Sequence, residues 1–155
     1  MTCALGCLTE TALTRSAEET IELGKRLAAR LQPGAVVAFF GDLGSGKTTM
    51  IKGIAAGLGV QDVVKSPSFV VATEYPGRLT GEPITIQHVD LYRLRDATDL
   101  ASVGFTDLLA RDVITLIEWA DRAKLDLPRD VIRVELAVTG ESEREIKVTF
   151  PEEKQ

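Results

Sequence analysis

Apolar and polar positions along the chain follow two different periods. Ala35-Val36-Val37-Ala38-Phe39-Phe40 is an unbroken apolar run, the pattern of a strand covered on both faces in a mostly parallel sheet. Before it, Ala17, Ile21, Gly24, Leu27, Ala28 and Leu31 recur at intervals of three and four, which predicts a helix from Ser16 to about Leu31. Ser16 is its expected N-cap, with Glu19 reaching back in a capping box, and Pro33-Gly34 ends it. After it, Met50, Ile51, Ile54, Ala55 and Leu58 mark a second helix from Lys47 to Leu58, closed by Gly57 and Gly59. Further strands are expected over 9–14, 69–75, 84–90, 113–118, 131–138 and 145–150, with helical material between Asp96 and Ala110. Thr139-Gly140-Glu141-Ser142 reads as a hairpin loop, so the sheet should be mixed. Residues 77–83 read as a flexible surface loop and 151–155 as a frayed tail.

These elements alternate as strand, helix, strand, helix, which predicts an α/β chain: a three-layer P-loop NTPase with a mixed, mostly parallel central sheet. With 155 residues, 45% of them apolar, the chain fills one domain over residues 1–155 and leaves no room for a second folded module. It has no apolar run long enough for a membrane span, and its start lacks the basic and apolar regions of a signal peptide, so a cytoplasmic protein is expected. Cys3 and Cys7 lie far in sequence from the single histidine, His88, and read as reduced thiols rather than a metal site. The formal charge is −5, and no run of Lys and Arg tracks a phosphate backbone. Independent tight binding to nucleic acid is not expected on that count. Contact with RNA through a partner stays open, because Lys25, Arg26, Arg30, Arg93, Arg95 and Arg122 have no place fixed by sequence.

The strongest chemical signal follows the apolar run at once. Gly41-Asp42-Leu43-Gly44-Ser45-Gly46-Lys47-Thr48 has the form G-x-x-x-x-G-K-[ST] between a strand and a helix. Backbone N–H groups and a helix N-terminus then surround one point, which is an anion site. Lys47 can reach β and γ phosphates, and the Thr48 hydroxyl can ligate Mg²⁺. The expected cofactors are therefore ATP and Mg²⁺, with Asp42, Leu43, Gly44, Ser45, Gly46, Lys47, Thr48 and Thr49 as the binding segment. Adenine is favoured over guanine because the chain has no asparagine, and the nearest approach to a guanine-reading [NT]-K-x-D is Ala123-Lys124-Leu125-Asp126.

Ligands of open α/β sheets bind beyond the carboxyl ends of the strands, so an acid ending an apolar strand is placed for Mg²⁺ or its waters. Glu118, after Val113-Ile114-Thr115-Leu116-Ile117, and Asp90, after His88-Val89, both qualify; each could equally be a solvated strand-end acid. Ser66-Pro67-Ser68-Phe69 is either a nucleotide-sensing switch or an ordinary turn. His88 reads as a hydrogen-bonded strand residue rather than a catalyst, and Trp119 either packs near the nucleotide or fills the core.

Taken in order, Gly41 to Thr49, Ser66-Pro67-Ser68-Phe69, His88-Val89-Asp90-Leu91-Tyr92-Arg93 and Ile117-Glu118-Trp119 closely resemble the bacterial TsaE family over roughly residues 10 to 150. That resemblance implies an ATPase needed for the threonylcarbamoyl modification of the adenosine next to the anticodon in tRNA. It would work with the TsaD and TsaB proteins, which would also hold most of the tRNA. Carried over by motif, Lys47 and Asp90 are the catalytic pair, with Asp90 positioning or activating water. Thr48 and Glu118 are the implied Mg²⁺ ligands, and Trp119 is implied to lie beside the nucleotide. Two positions depart from the family pattern: Ser68 stands where Thr is usual, and Val89 replaces a commoner aromatic. The alternatives are a small-molecule or nucleotide kinase, for which Arg93-Leu94-Arg95 is the one lid candidate, and a nucleotide-dependent binding module.

Overall fold

A computed structural model describes residues 8–65 and 72–151. Its elements in chain order are β1 (Leu8–Thr14), α1 (Ala17–Ala28), β2 (Val36–Phe40), α2 (Lys47–Gly57), β3 (Ala72–Leu79), β4 (Glu82–Asp90), α3 (Ala97–Ser102), α4 (Phe105–Leu109), β5 (Ile114–Glu118), a 3₁₀ segment (Ala120–Asp126), β6 (Ile132–Val138) and β7 (Arg144–Phe150). The Cys3 and Cys7 pair and the Ser66 to Phe69 segment lie outside the described residues.

All seven strands join one sheet in the order β1-β7-β6-β2-β5-β4-β3. The four central strands, β6-β2-β5-β4, run parallel, and antiparallel pairs close both sides. The expected three-layer α/β architecture with a mixed sheet is what forms. Successive side chains of a strand point to opposite faces, which explains the unbroken apolar run. Val37 and Phe39 pack beneath α1 and α2, while Val36 and Ala38 pack with Leu100 of α3, Phe105 of α4 and Ala120 and Ala123 of the 3₁₀ segment. Among the described residues no helix is long and apolar enough to cross a membrane.

The caps decide where the helices begin and stop. Ser16 Oγ accepts from the Glu19 N–H at 3.1 Å, as the capping box requires, but Glu19 Oε1 accepts from the N–H of Arg15 rather than that of Ser16. The predicted end at Leu31 is three residues late for α1. Arg30 and Leu31 donate to the carbonyls of Leu27 and Ala28, so the last turn tightens into i→i−3 bonds while Leu31 stays in the core. The helical material of 96–110 is two short helices, broken where Gly104 takes φ 68°.

The surface loop expected over residues 77–83 is instead the tip of a β3–β4 hairpin. Both strands continue to a two-residue turn at Thr80-Gly81, whose φ values of 49° and 84° are those of a turn matched to strand twist. Pro76 and Pro83 hide this pairing from a reading of strand propensity. Pro76 is tolerated because β3 is an edge strand, and Pro83 because it stands at the second position of β4.

Helices α1 and α2 cross with their backbones nearly touching. A Cβ on Gly53 would lie 2.2 Å from the Ile21 carbonyl oxygen, and one on Gly24 would lie 2.4 Å from that of Met50. Gly53→Ala should therefore lower stability by about 1–3 kcal/mol, because overpacking outweighs the better helix propensity of alanine. Urea unfolding measures this; an unchanged or raised midpoint would contradict the close crossing.

Candidate functional site

Parallel packing brings the carboxyl ends of β2, β5, β4 and β6 to one edge of the sheet, and an open cleft of about 850 Å³ lies there. The Gly41–Gly46 loop forms its floor, between β2 and α2. Two positions in that loop require glycine. A Cβ on Gly41 would lie 2.6 Å from Ser45 Oγ and 2.7 Å from the Leu136 carbonyl oxygen, and Gly46 caps α2 at φ 104°. Because Gly46 offers no side chain to the first turn, the N-terminus of α2 has no side-chain cap and faces the cleft. Asp42 is exposed and contributes its carbonyl oxygen, which accepts from the Ser45 N–H and from Lys47.

Lys47 is buried. Its Nζ donates to the carbonyls of Gly41 and Asp42 and lies 3.8 Å from the centroid of the Trp119 ring. Burial lowers the Lys47 pKa, and the nearby carboxylates of Glu118, Asp121, Asp42 and Asp90 offset part of that loss. Thr48, at the start of α2, donates its Oγ1 proton to Glu118 Oε1 at 2.6 Å. Glu118, only 3% exposed at the end of β5, is held on its other oxygen by His88 Nε2, also at 2.6 Å. Asp90 pairs in register with Glu118 across β4 and β5 and lines the same cleft. Its Oδ1 accepts from the Tyr92 N–H at 2.9 Å, which turns the chain away from the sheet.

The structure thus brings the loop, Lys47, Thr48, Asp90 and Glu118 to one cleft. Trp119 joins them at φ 58°, a left-handed conformation rare for a bulky residue, with its ring 4.9 Å from that of Tyr92. Trp119 therefore lines the cleft while also packing against the core on the α3–α4 side of the sheet.

Sequence reasoning missed the opposite wall, where Arg15, Ser16, Glu141, Ser142 and Arg144 line the cleft. Arg144 donates to the Gly44 carbonyl at 3.2 Å and to the carbonyls of Gly140 and Glu143, tying the β6–β7 hairpin to the loop. No local pattern marks these residues. Glu141, Ser142 and Arg144 reach the site because β6 lies beside β2, and Arg15 and Ser16 because β1 pairs with β7 next to it, both long-range pairings. The His88 contact had a usable signal, since residues two apart on a strand share a face and His88 therefore points the same way as Asp90.

Burial raises the Asp90 pKa as the largest effect, the Tyr92 N–H opposes it, and the Glu118 charge adds to the rise. The folded state then binds this proton more tightly than the unfolded state does, so stability falls as pH rises from the unfolded value near 4 through the raised value. Asp90→Asn should accordingly be more stable than wild type at pH 7, and the advantage should vanish below about pH 4. Urea midpoints at the two pH values measure it; a destabilised variant at pH 7 would contradict the desolvated carboxylate.

Comparison with known proteins shows the family of the chain. The profile of the family described as Threonylcarbamoyl adenosine biosynthesis protein TsaE matches residues 14–146. The chain is 35% identical over 136 residues to the tRNA threonylcarbamoyladenosine biosynthesis protein TsaE of Treponema pallidum, covering 88% of this chain and 97% of that protein. It is also 35% identical to the protein of that name from Bacillus subtilis, covering 88% of this chain and 82% of the relative. The crystal structure of Bacillus subtilis YdiB superposes with a TM-score of 0.73 at 32% identity, over 93% of this chain and 86% of that one. A family profile that matches residues 14–146, and so takes in the glycine-rich loop and both strand-end acids, places this chain in the TsaE family, whose role is in tRNA threonylcarbamoyladenosine biosynthesis.

Proposed function

We propose that the chain is an ATPase which binds ATP and Mg²⁺ in the loop cleft and supports tRNA threonylcarbamoylation together with TsaB and TsaD. The observation that carries this reading is the convergence of Thr48 Oγ1 and Glu118 Oε1, 2.6 Å apart, beside Lys47 and at the N-terminus of α2. Two hard oxygen donors at the mouth of an anion-binding loop suit Mg²⁺, which takes one or two protein oxygens and fills its other positions with phosphates and water. The described residues contain no cluster of three or more His, Cys, Asp or Glu that would make a dedicated protein cage. That is the donor set expected of a metal shared with a phosphate chain.

In this reading the loop N–H groups and the α2 N-terminus hold the phosphates, and Lys47 offers its ammonium to the β and γ oxygens. Bound Mg²⁺ supplies charge neutralisation on those oxygens. Asp90, desolvated and at the rim, is the group that orients water towards the terminal phosphate. The arginines of the site, Arg15 and Arg144, stand on the wall across the loop from Asp90 and Glu118, and Arg144 is bonded to the loop backbone. Charge stabilisation at the terminal phosphate by an arginine is worth about 10³–10⁵ in rate in phosphoryl-transfer enzymes. Among the described residues no arginine that lines the cleft stands on the Asp90 side, so the chain should turn over slowly alone.

Lys47→Ala should weaken ATP binding and reduce hydrolysis by about 100-fold or more, the scale of removing one charge-stabilising donor. Wild-type phosphate release by that variant would remove the nucleotide site. Glu118→Gln and Asp90→Asn should both lose turnover, with the greater loss of Mg²⁺ affinity in Glu118→Gln; undiminished activity in either would return that carboxylate to a structural role. Steady-state phosphate release should rise severalfold or more when TsaB and TsaD are added. Fast turnover by the chain alone, unchanged by those proteins, would favour an independent kinase instead.

A further inference from the structure

His88 is fully buried on β4, and its Nε2 lies 2.6 Å from Glu118 Oε2. An ionised carboxylate can only accept, so Nε2 carries the proton of this contact and donates it. The other ring nitrogen, Nδ1, is buried with no hydrogen-bond partner among the described residues. Buried polar atoms are nearly always satisfied, and those that are not call for an explanation. An apolar side chain on this face of the sheet, with Ile86 two residues before it and Leu116 opposite it in register, would leave nothing unmet at this position. The bond to Glu118 is what the imidazole adds there.

The geometry gives that bond a direction. His88 and Asp90 share one face of β4, and Asp90 stands in register with Glu118, so His88 lies one step deeper beneath the Glu118 carboxylate. A glutamate side chain has several rotatable bonds and can aim its oxygens many ways. With Oε2 held by the imidazole, Oε1 points at Thr48 Oγ1.

We propose that His88 is a positioning residue for the metal site: it fixes the Glu118 carboxylate so that Oε1 and Thr48 Oγ1 converge as a pair of oxygen donors for Mg²⁺. This rests on the ATP- and Mg²⁺-binding reading above. Hydrogen-bond partners of metal-binding side chains orient those side chains, and removing one costs about 10–100-fold in metal affinity or activity.

The test compares His88→Leu, His88→Gln and His88→Asn with wild type. Binding of a fluorescent ATP analogue is followed across a Mg²⁺ titration and again in EDTA, with thermal unfolding measured alongside. Glutamine carries an amide nitrogen about as far out as Nε2, whereas asparagine reaches only as far as Nδ1. His88→Leu and His88→Asn should need about 10–100-fold more Mg²⁺ for half-maximal binding, with binding in EDTA unchanged. His88→Gln should stay within a few-fold of wild type. Should His88→Leu fail to fold, the contrast between His88→Gln and His88→Asn decides. Equal Mg²⁺ midpoints for those two, or wild-type midpoints in variants that only melt earlier, would overturn the positioning role. A wild-type protein that binds no nucleotide would instead overturn the reading on which it rests.

Discussion

A carboxylate buried at the end of a strand has to be partnered, and Glu118 is that carboxylate. Burying an unpaired charge is strongly unfavourable, and losing one partner of a buried ion pair costs about 3–5 kcal/mol. Glu118 closes five consecutive buried residues of β5 and accepts hydrogen bonds from Thr48 and His88. Those two bonds bind the first turn of α2 and the face of β4 to the end of β5. Helix, loop and two strands are therefore held in one register by a single side chain, and the site's oxygen donors face one another because of it.

The parallel centre of the sheet turns that local constraint into a two-sided cleft. Strand ends that run the same way deliver their loops to one edge, so the order β6-β2-β5-β4 fixes which groups stand where. The carboxylates of Asp90 and Glu118 come from the β5–β4 side, the hairpin with Arg144 from the β6–β7 side, and the glycine-rich loop lies between. Lys47 occupies the middle, short of solvent and facing acids. Its lowered pKa and the raised pKa of Asp90 have the same first cause, which is loss of water from one crowded edge. Polar groups held desolvated in this way are poised for a charged ligand.

Much of this was legible in the sequence. The apolar run 35–40, the capping box at Ser16 and the loop before Lys47 are local signals, and each dictates its element through a spacing of at most a few residues. Glu118 and Asp90 were legible as acids at strand ends, although nothing local says that one is buried and the other rimmed by solvent. The β3–β4 hairpin was not legible, because two prolines interrupt strand propensity and only the edge position of β3 makes Pro76 harmless. Arg15 and Arg144 were not legible either, since strand order, rather than any spacing, brings them to the loop. The left-handed turn at Trp119 is likewise a consequence of the 3₁₀ segment that leaves β5, and no glycine or asparagine announced it.

The single tryptophan offers the most direct measurement of the central claim, that phosphates are bound at Lys47 with Mg²⁺ between Thr48 and Glu118. The Trp119 ring touches the Lys47 ammonium, and a phosphate engaging that ammonium changes the environment of the ring. Titrating ATP into the wild-type chain should produce a saturable change in tryptophan emission that tightens when Mg²⁺ is present and is absent with adenosine. Emission unchanged up to millimolar ATP, with or without Mg²⁺, would contradict the account.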